Sequence, residues 1–246
     1  MSGVAVVTGG ASGLGEAICG RLADDGFHVV VADLDGDAAE AVAEAVDGTP
    51  VQVDVRVDDE VAAMVDEAAS IGTLEVLVLS AAIETRAPLL ETTDEAWREV
   101  LDTNLKGPFL CLRHAVPRMV EAGGGSVIAL GSTLGQIQAP AYPAYCASKF
   151  GLTNLCKQVA IEHAPDQIRV NVVAPAATEV GLFSRVAEAT GDPEGIKAFV
   201  AGNVPMGRLG TADDVAAVVA FLASDASTYL SGAVIPLDGG MAARRM

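Results

Sequence analysis

The stretch AYPAYCASKF, residues 141–150, holds two of the chain's three tyrosines and a lysine. Pro143 is best tolerated in the first turn of a helix, so the spacing predicts a helix starting near residue 143, with Tyr142 before it. Tyr145 and Lys149 then stand four apart on one helical face. An ammonium held near a phenol stabilises the phenolate and lowers its pKa from about 10. A phenol tuned in that way can give a proton to a carbonyl or take one from an alcohol. A Tyr–Lys pair alone is also an ordinary surface contact, so the neighbouring residues decide. Ser132 closes a strand-like run 13 residues before Tyr145. A hydroxyl there can hold a substrate oxygen. Asn104, in the helical stretch DTNLKG, offers an amide that could hold a water and pass protons toward the lysine.

A second group of residues suits a dinucleotide. TGGASGLGEAI, residues 8–18, follows a strand-like run and opens an amphipathic helix. Gly9, Gly13 and Gly15 let the backbone turn tightly and let a pyrophosphate approach the helix N-terminus. The next strand ends in Asp33, about 20 residues on, where an acid accepts hydrogen bonds from a ribose diol and repels a 2′-phosphate. No Lys or Arg stands in the turn or beside Asp33, which favours NAD(H) over NADP(H). Asp54 and Val55, at the end of the third strand, are placed to meet the adenine; on spacing alone Asp54 also reads as a plain turn residue.

The elements that must position these residues are short apolar runs alternating with helical patterns. VAVVT (4–8), HVVVAD (28–33), VQVDV (51–55), LEVLVLS (74–80), SVIALGS (126–132), IRVNVVAP (168–175) and AVIPLDGG (233–240) read as strands, most of them buried on both faces. About six helices lie between them. Thr92 with Glu95, and Thr211 with Asp214, fit capping boxes. Seven strands interleaved with helices predict an α/β fold, a doubly wound seven-stranded parallel sheet in three layers. The whole chain, 1–246, reads as one domain. Residues 177–205 interrupt the alternation after a strand's C-terminal end, where such sheets bind ligands, and read as a substrate lid. Leu182, Phe183, Ile196 and Phe199 offer that lid an apolar lining, and Arg185 and Lys197 leave room for a partly anionic substrate.

Composition narrows the partners. Fifteen basic against 33 acidic residues give a net charge of −18. Such a surface repels phosphate backbones and anionic lipid, which argues against nucleic acid and membrane partners. Cys19, Cys111, Cys146 and Cys156 form no CxxC pair and read as buried reduced thiols, which suits the cytoplasm. The N-terminus lacks the features of a signal peptide.

Taken together these motifs resemble the short-chain dehydrogenase/reductase family in its single-domain form, over essentially the whole chain. TGGASGLG matches the family's TGxxxGxG turn and YCASK its YxxxK. Ser132 has the family's spacing to the tyrosine, DTNLKG matches its asparagine segment, and IRVNVVAP and SGAVIPLDGG match its last two strands. The resemblance implies a Rossmann fold and a secondary alcohol/ketone oxidoreductase acting on a small molecule. In it Tyr145 is the general acid/base, Lys149 lowers its pKa and binds the nicotinamide ribose, Ser132 positions the substrate oxygen, and Asn104 completes a water relay. It also implies cofactor contacts from Ser12, Leu14, Leu34, Ser80, Ala81, Ala82, Pro175 and Thr178, no metal, and a homotetramer. Tyr142 becomes a wall of the substrate pocket, with Leu182 and Phe183.

The chain departs from the family in two places. Leu79-Ser80-Ala81-Ala82 stands where NNAG is usual, and Pro175-Ala176 where Pro-Gly is usual. A threonine that often meets the nicotinamide carboxamide aligns with Val180, and Thr178 is its nearest substitute. Three rival readings follow. A hydrolase built on Ser132 with His114 or His163 lacks the G-x-S-x-G elbow, since the strand end reads LGSTLG. A non-catalytic dinucleotide sensor has no need of Ser132, Tyr145, Lys149 and Asn104 together. A 3-oxoacyl-carrier-protein reductase usually takes NADPH and docks an acidic carrier, against Asp33 and the acidic surface here.

Overall fold

The computed structural model describes residues 3–137 and 139–243. Seven parallel strands form one sheet in the order β3-β2-β1-β4-β5-β6-β7. They are β1 (Val4–Thr8), β2 (His28–Asp33), β3 (Thr49–Gln52), β4 (Leu74–Leu79), β5 (Gly125–Leu130), β6 (Ile168–Pro175) and β7 (Val234–Leu237). Each central strand alternates its side chains between two apolar cores. Val4, Val6, Val30 and Leu77 face α3 (Asp58–Ile71), α5 (Gly107–Glu121) and α6 (Pro143–Glu162). Ala5, Val7, Val31 and Val78 face α1 (Gly13–Asp24), α2 (Gly36–Ala45) and α9 (Ala212–Ala223). This is the expected three-layer, doubly wound Rossmann arrangement. The strand order reverses between β1 and β4, which opens a crevice at their C-terminal ends.

Several local expectations need correction. The third strand runs Thr49–Gln52, not 51–55. Asp54 accepts the Arg56 N–H at 2.9 Å, and its carbonyl accepts the Val57 N–H, so the chain has already turned out of the sheet. Pro50 is tolerated inside the strand because β3 is an edge. The helix carrying Trp97, α4 (Asp94–Leu101), is capped by Thr93, which accepts from Ala96 N–H at 3.1 Å. Thr92 instead donates to the carbonyls of Ala87 and Pro88, so the predicted Thr92–Glu95 box does not form. The Thr211–Asp214 box is present in full. The segment 177–205 contains two short helices, α7 (Leu182–Ala189) and α8 (Pro193–Asn203). All four cysteines are free and buried, and burial pushes the thiols of Cys19, Cys111 and Cys156 up to about 12. Among the described residues, no helix is long and apolar enough to cross a membrane.

Candidate active site

A cleft of about 390 Å³ lies across the C-terminal ends of β2, β1, β4, β5 and β6. At its β1 side the glycine turn enters α1. Gly9 has φ of +65°, and a Cβ there would meet the Ala81 backbone at 2.7 Å. A Cβ on Gly15 would fall 1.9 Å from the Gly9 carbonyl oxygen. Only glycine lets the helix start this close to the strand end. Ser12 is the N-cap of α1 yet makes no capping bond with its side chain. Its hydroxyl, and the N–H groups of the first turn, are therefore available to an anion. Asp33, at the end of β2, accepts from Ala11 N–H at 3.0 Å and from Asp35 N–H at 3.2 Å, which fixes its carboxylate at the edge of the glycine turn. Lone pairs remain for a diol.

The missing asparagines after β4 are compensated from β1. The Thr8 hydroxyl donates to Val78 carbonyl and accepts from the N–H groups of Ser80 and Ala81. Ser80, Ala81 and Ala82 line the cleft as expected.

On the β5 side, Ser132 lies two residues past the strand, where its Oγ accepts from Leu134 N–H at 3.1 Å. Pro143 begins α6 as predicted and Tyr142 is its N-cap. The Tyr142 and Tyr145 rings meet edge-on at 6.3 Å. Lys149 is 3% exposed. Its Nζ lies 5.7 Å from the Tyr145 ring centroid and donates to Leu130 carbonyl at 2.8 Å. Burial brings the Lys149 ammonium down to about 8. The Tyr145 phenol moves opposite to the sequence expectation. Burial, and then the charge of Glu84, raise it above its ordinary value, while the neighbouring Ser132 hydroxyl pulls it back. The expected lowering rests on a charged lysine beside a solvated phenol, and here both groups are desolvated.

Asn104 lies in the expected helical stretch. It sits in a π-helical turn, Asp102–Lys106, fully buried. Its side chain accepts from Ile83 N–H at 2.9 Å and donates to Ile83 carbonyl at 2.7 Å and to Ser148 Oγ at 3.1 Å. The side-chain amide is thus engaged in clamping the segment after β4.

The cleft brings together Gly9, Ser12, Leu14, Gly15, Asp33, Ser80, Ala81, Ala82, Ser132, Tyr142, Tyr145, Lys149, Pro175, Thr178, Leu182 and Phe183. It does not include Gly13, Leu34, Asp54, Val55 or Asn104. Leu34 is exposed. Asp54 is held by Arg56 in a two-pronged ion pair at 2.7–3.0 Å, which lowers its carboxyl. Val55 is buried against Gly107. The Thr178 hydroxyl donates to Val180 carbonyl at 2.8 Å, within its own loop. In the lid, Phe199 faces outward and neither it nor Ile196 lines the cleft; Val200 does. Lys197 pairs with Glu194 and lies outside the cleft, whereas Arg185 lines it. Sequence reading missed Glu84, a cleft-lining carboxylate.

A family model described as enoyl-(acyl carrier protein) reductase matches residues 9–242. Cis-4-hydroxycyclohexanecarboxylate dehydrogenase of Sinomonas cyclohexanicum is 40% identical over 98% of this chain and 96% of its own. The chain belongs to the short-chain dehydrogenase/reductase family. It is similar to other members of differing activity. A 3-oxoacyl-acyl-carrier-protein reductase of Staphylococcus aureus is 38% identical, with 98% of each chain covered. The aldohexose dehydrogenase of Thermoplasma acidophilum superimposes with a TM-score of 0.93 at 31% identity, covering 99% of this chain and 95% of the other. Membership makes this protein an oxidoreductase of that family that uses a nicotinamide dinucleotide. The glycine turn, the uncapped Ser12 and the Asp33 carboxylate suit such a group.

Proposed function

We propose that the protein is an NAD(H)-dependent oxidoreductase that interconverts a secondary alcohol and a ketone. The observation that carries this reading is the single cleft with Asp33 on its β2 side and Ser132, Tyr145 and Lys149 on its β5 side. The glycine turn and Ser12 would hold the pyrophosphate, and Asp33 the adenosine ribose diol. When bound, the nicotinamide dinucleotide accepts or supplies the hydride. Ser132 donates to the substrate oxygen and stabilises charge there, as an oxyanion-type donor. Tyr145 moves the proton at that same oxygen. Lys149 holds the nicotinamide ribose and, in its charged form, favours the phenolate. Leu182, Phe183 and Tyr142 exclude water around the reacting carbon.

A second reading is a 3-oxoacyl-carrier-protein reductase using NADPH. The Staphylococcus aureus relative supports it. The net charge of −18 and the carboxylate at Asp33 oppose it, because one repels an acidic carrier and the other a 2′-phosphate. Oxidation of a panel of cyclic secondary alcohols, followed through the near-ultraviolet absorbance of reduced nicotinamide, separates the two. We expect turnover with NAD⁺ at a kcat/KM at least about tenfold above that with NADP⁺, a difference of about 1.4 kcal/mol. The reverse preference would support the carrier-protein reductase.

A further inference from the structure

Glu84 is a cleft-lining carboxylate for which the roles above have no use. It follows β4 and is half-buried. Among the described residues its carboxylate makes no hydrogen bond and no ion pair within contact distance. A carboxylate with a purely structural role at such a site takes donors from its surroundings. Glu84 is instead held in place through its backbone neighbours. Asn104 grips both the N–H and the carbonyl of Ile83, immediately before it, and Ala87 N–H bonds to Ala141 carbonyl just after. The fold thus fixes an acceptor group in the cleft and leaves its oxygens unpaired.

Glu84 lines the cleft together with Tyr142, Tyr145, Lys149 and Arg185. Its charge raises the phenols of both Tyr142 and Tyr145, and it acts on Lys149. It stands in the segment after β4, which lies two strands along the sheet from the β2 strand that carries Asp33. A carboxylate there repels phosphate, so it does not serve the dinucleotide. The charges of Arg185, Arg86 and Lys149 oppose the upward push of burial on its carboxyl. With three cations already near, a further ammonium is disfavoured, and a neutral hydroxyl is the donor that fits.

We propose that Glu84 is a specificity-determining residue that accepts a hydrogen bond from a second hydroxyl of the substrate, making the preferred substrate a diol or polyol. This inference rests on the alcohol/ketone reading above. The test uses the full chain with NAD⁺, cyclohexanol, and the 1,2-, 1,3- and 1,4-cyclohexanediols. We expect the wild type to prefer at least one diol to cyclohexanol in kcat/KM. Glu84→Ala should lower kcat/KM on that diol by about 10- to 100-fold more than on cyclohexanol, the range for a hydrogen bond to a charged group. Glu84→Gln, which keeps an acceptor oxygen, should recover part of the loss, and the loss should fall on KM. NADH binding, read by thermal unfolding, should match wild type in both variants. A wild-type preference for cyclohexanol, or an equal loss on both substrates in kcat as expected of a proton relay, would overturn the role of Glu84 while leaving the oxidoreductase reading intact. Turnover of none of these alcohols by the wild type would overturn that reading and this inference with it.

Discussion

A phenol as buried as Tyr145 holds its proton more tightly than one in water, and Lys149 beside it has lost part of its own hold. Both shifts have the same cause, desolvation, and they act in opposite directions because one group is charged when protonated and the other when deprotonated. In the proposed reading Lys149 would hold the nicotinamide ribose of a bound dinucleotide, and its ammonium form would favour the phenolate of Tyr145. Tyr145→Phe removes the phenol oxygen to which the proposed proton transfer is assigned. We expect kcat/KM to fall by about 10²- to 10⁴-fold, the usual worth of a placed general acid/base. Tyr142→Phe, which keeps the ring that walls the cleft, should stay within about tenfold of wild type. Steady-state kinetics of the two variants checks the assignment, and the opposite ranking would reverse it. The placement of Tyr145, Lys149 and Ser132 was legible in the sequence because spacing alone fixes it: four residues along a helix, and the end of a strand. Glu84 was not legible. It stands in a connecting segment with no periodicity, and Asn104, which positions it, lies 21 residues from the clamped Ile83.

Strands and helices were read from periodicity, and the errors lie where side chains end an element. β1, β2 and β6 match the apolar runs in the sequence residue for residue. β3 does not, because Asp54 turns the chain and an edge position accepts Pro50. The N-cap of α4 is displaced by one residue from Thr92 to Thr93, which adjacent threonines cannot reveal by type. In the lid, apolar residues alone did not say which face of α8 turns inward, so Phe199 was misplaced and Val200 overlooked. At the glycine turn the element-level argument carries a prediction. Gly→Ala inside a helix normally stabilises by about 0.5–1 kcal/mol. At Gly15 the new Cβ would lie 1.9 Å from the Gly9 carbonyl oxygen, and overpacking of that kind costs about 1–3 kcal/mol. The clash wins. Gly15→Ala should lower the urea midpoint and weaken dinucleotide binding together; a raised midpoint would show that helix and strand can separate without loss.

At the scale of the whole molecule, the parallel sheet serves to place residues distant in sequence on one edge. Thr8 and Val78 are 70 residues apart, yet the Thr8 hydroxyl donates to the Val78 carbonyl where the strand order reverses and the cleft opens. The molecule carries a net charge of −18, and among the described residues the basic side chains that line its cleft are Lys149 and Arg185. Among the described residues no ion pair or hydrogen bond joins a basic side chain to Asp33, so the proposed adenosine side offers no counter-charge for a 2′-phosphate. That asymmetry is the physical basis of the NAD(H) assignment, and binding to the folded state converts it into stability. A ligand at 100 times its dissociation constant adds about 2.7 kcal/mol. The decisive measurement is thermal unfolding of the protein with NADH, with NADPH and with neither. The account predicts a clear rise in Tm with NADH and little or none with NADPH at the same concentration. A rise with NADPH alone, or with neither dinucleotide, would contradict it.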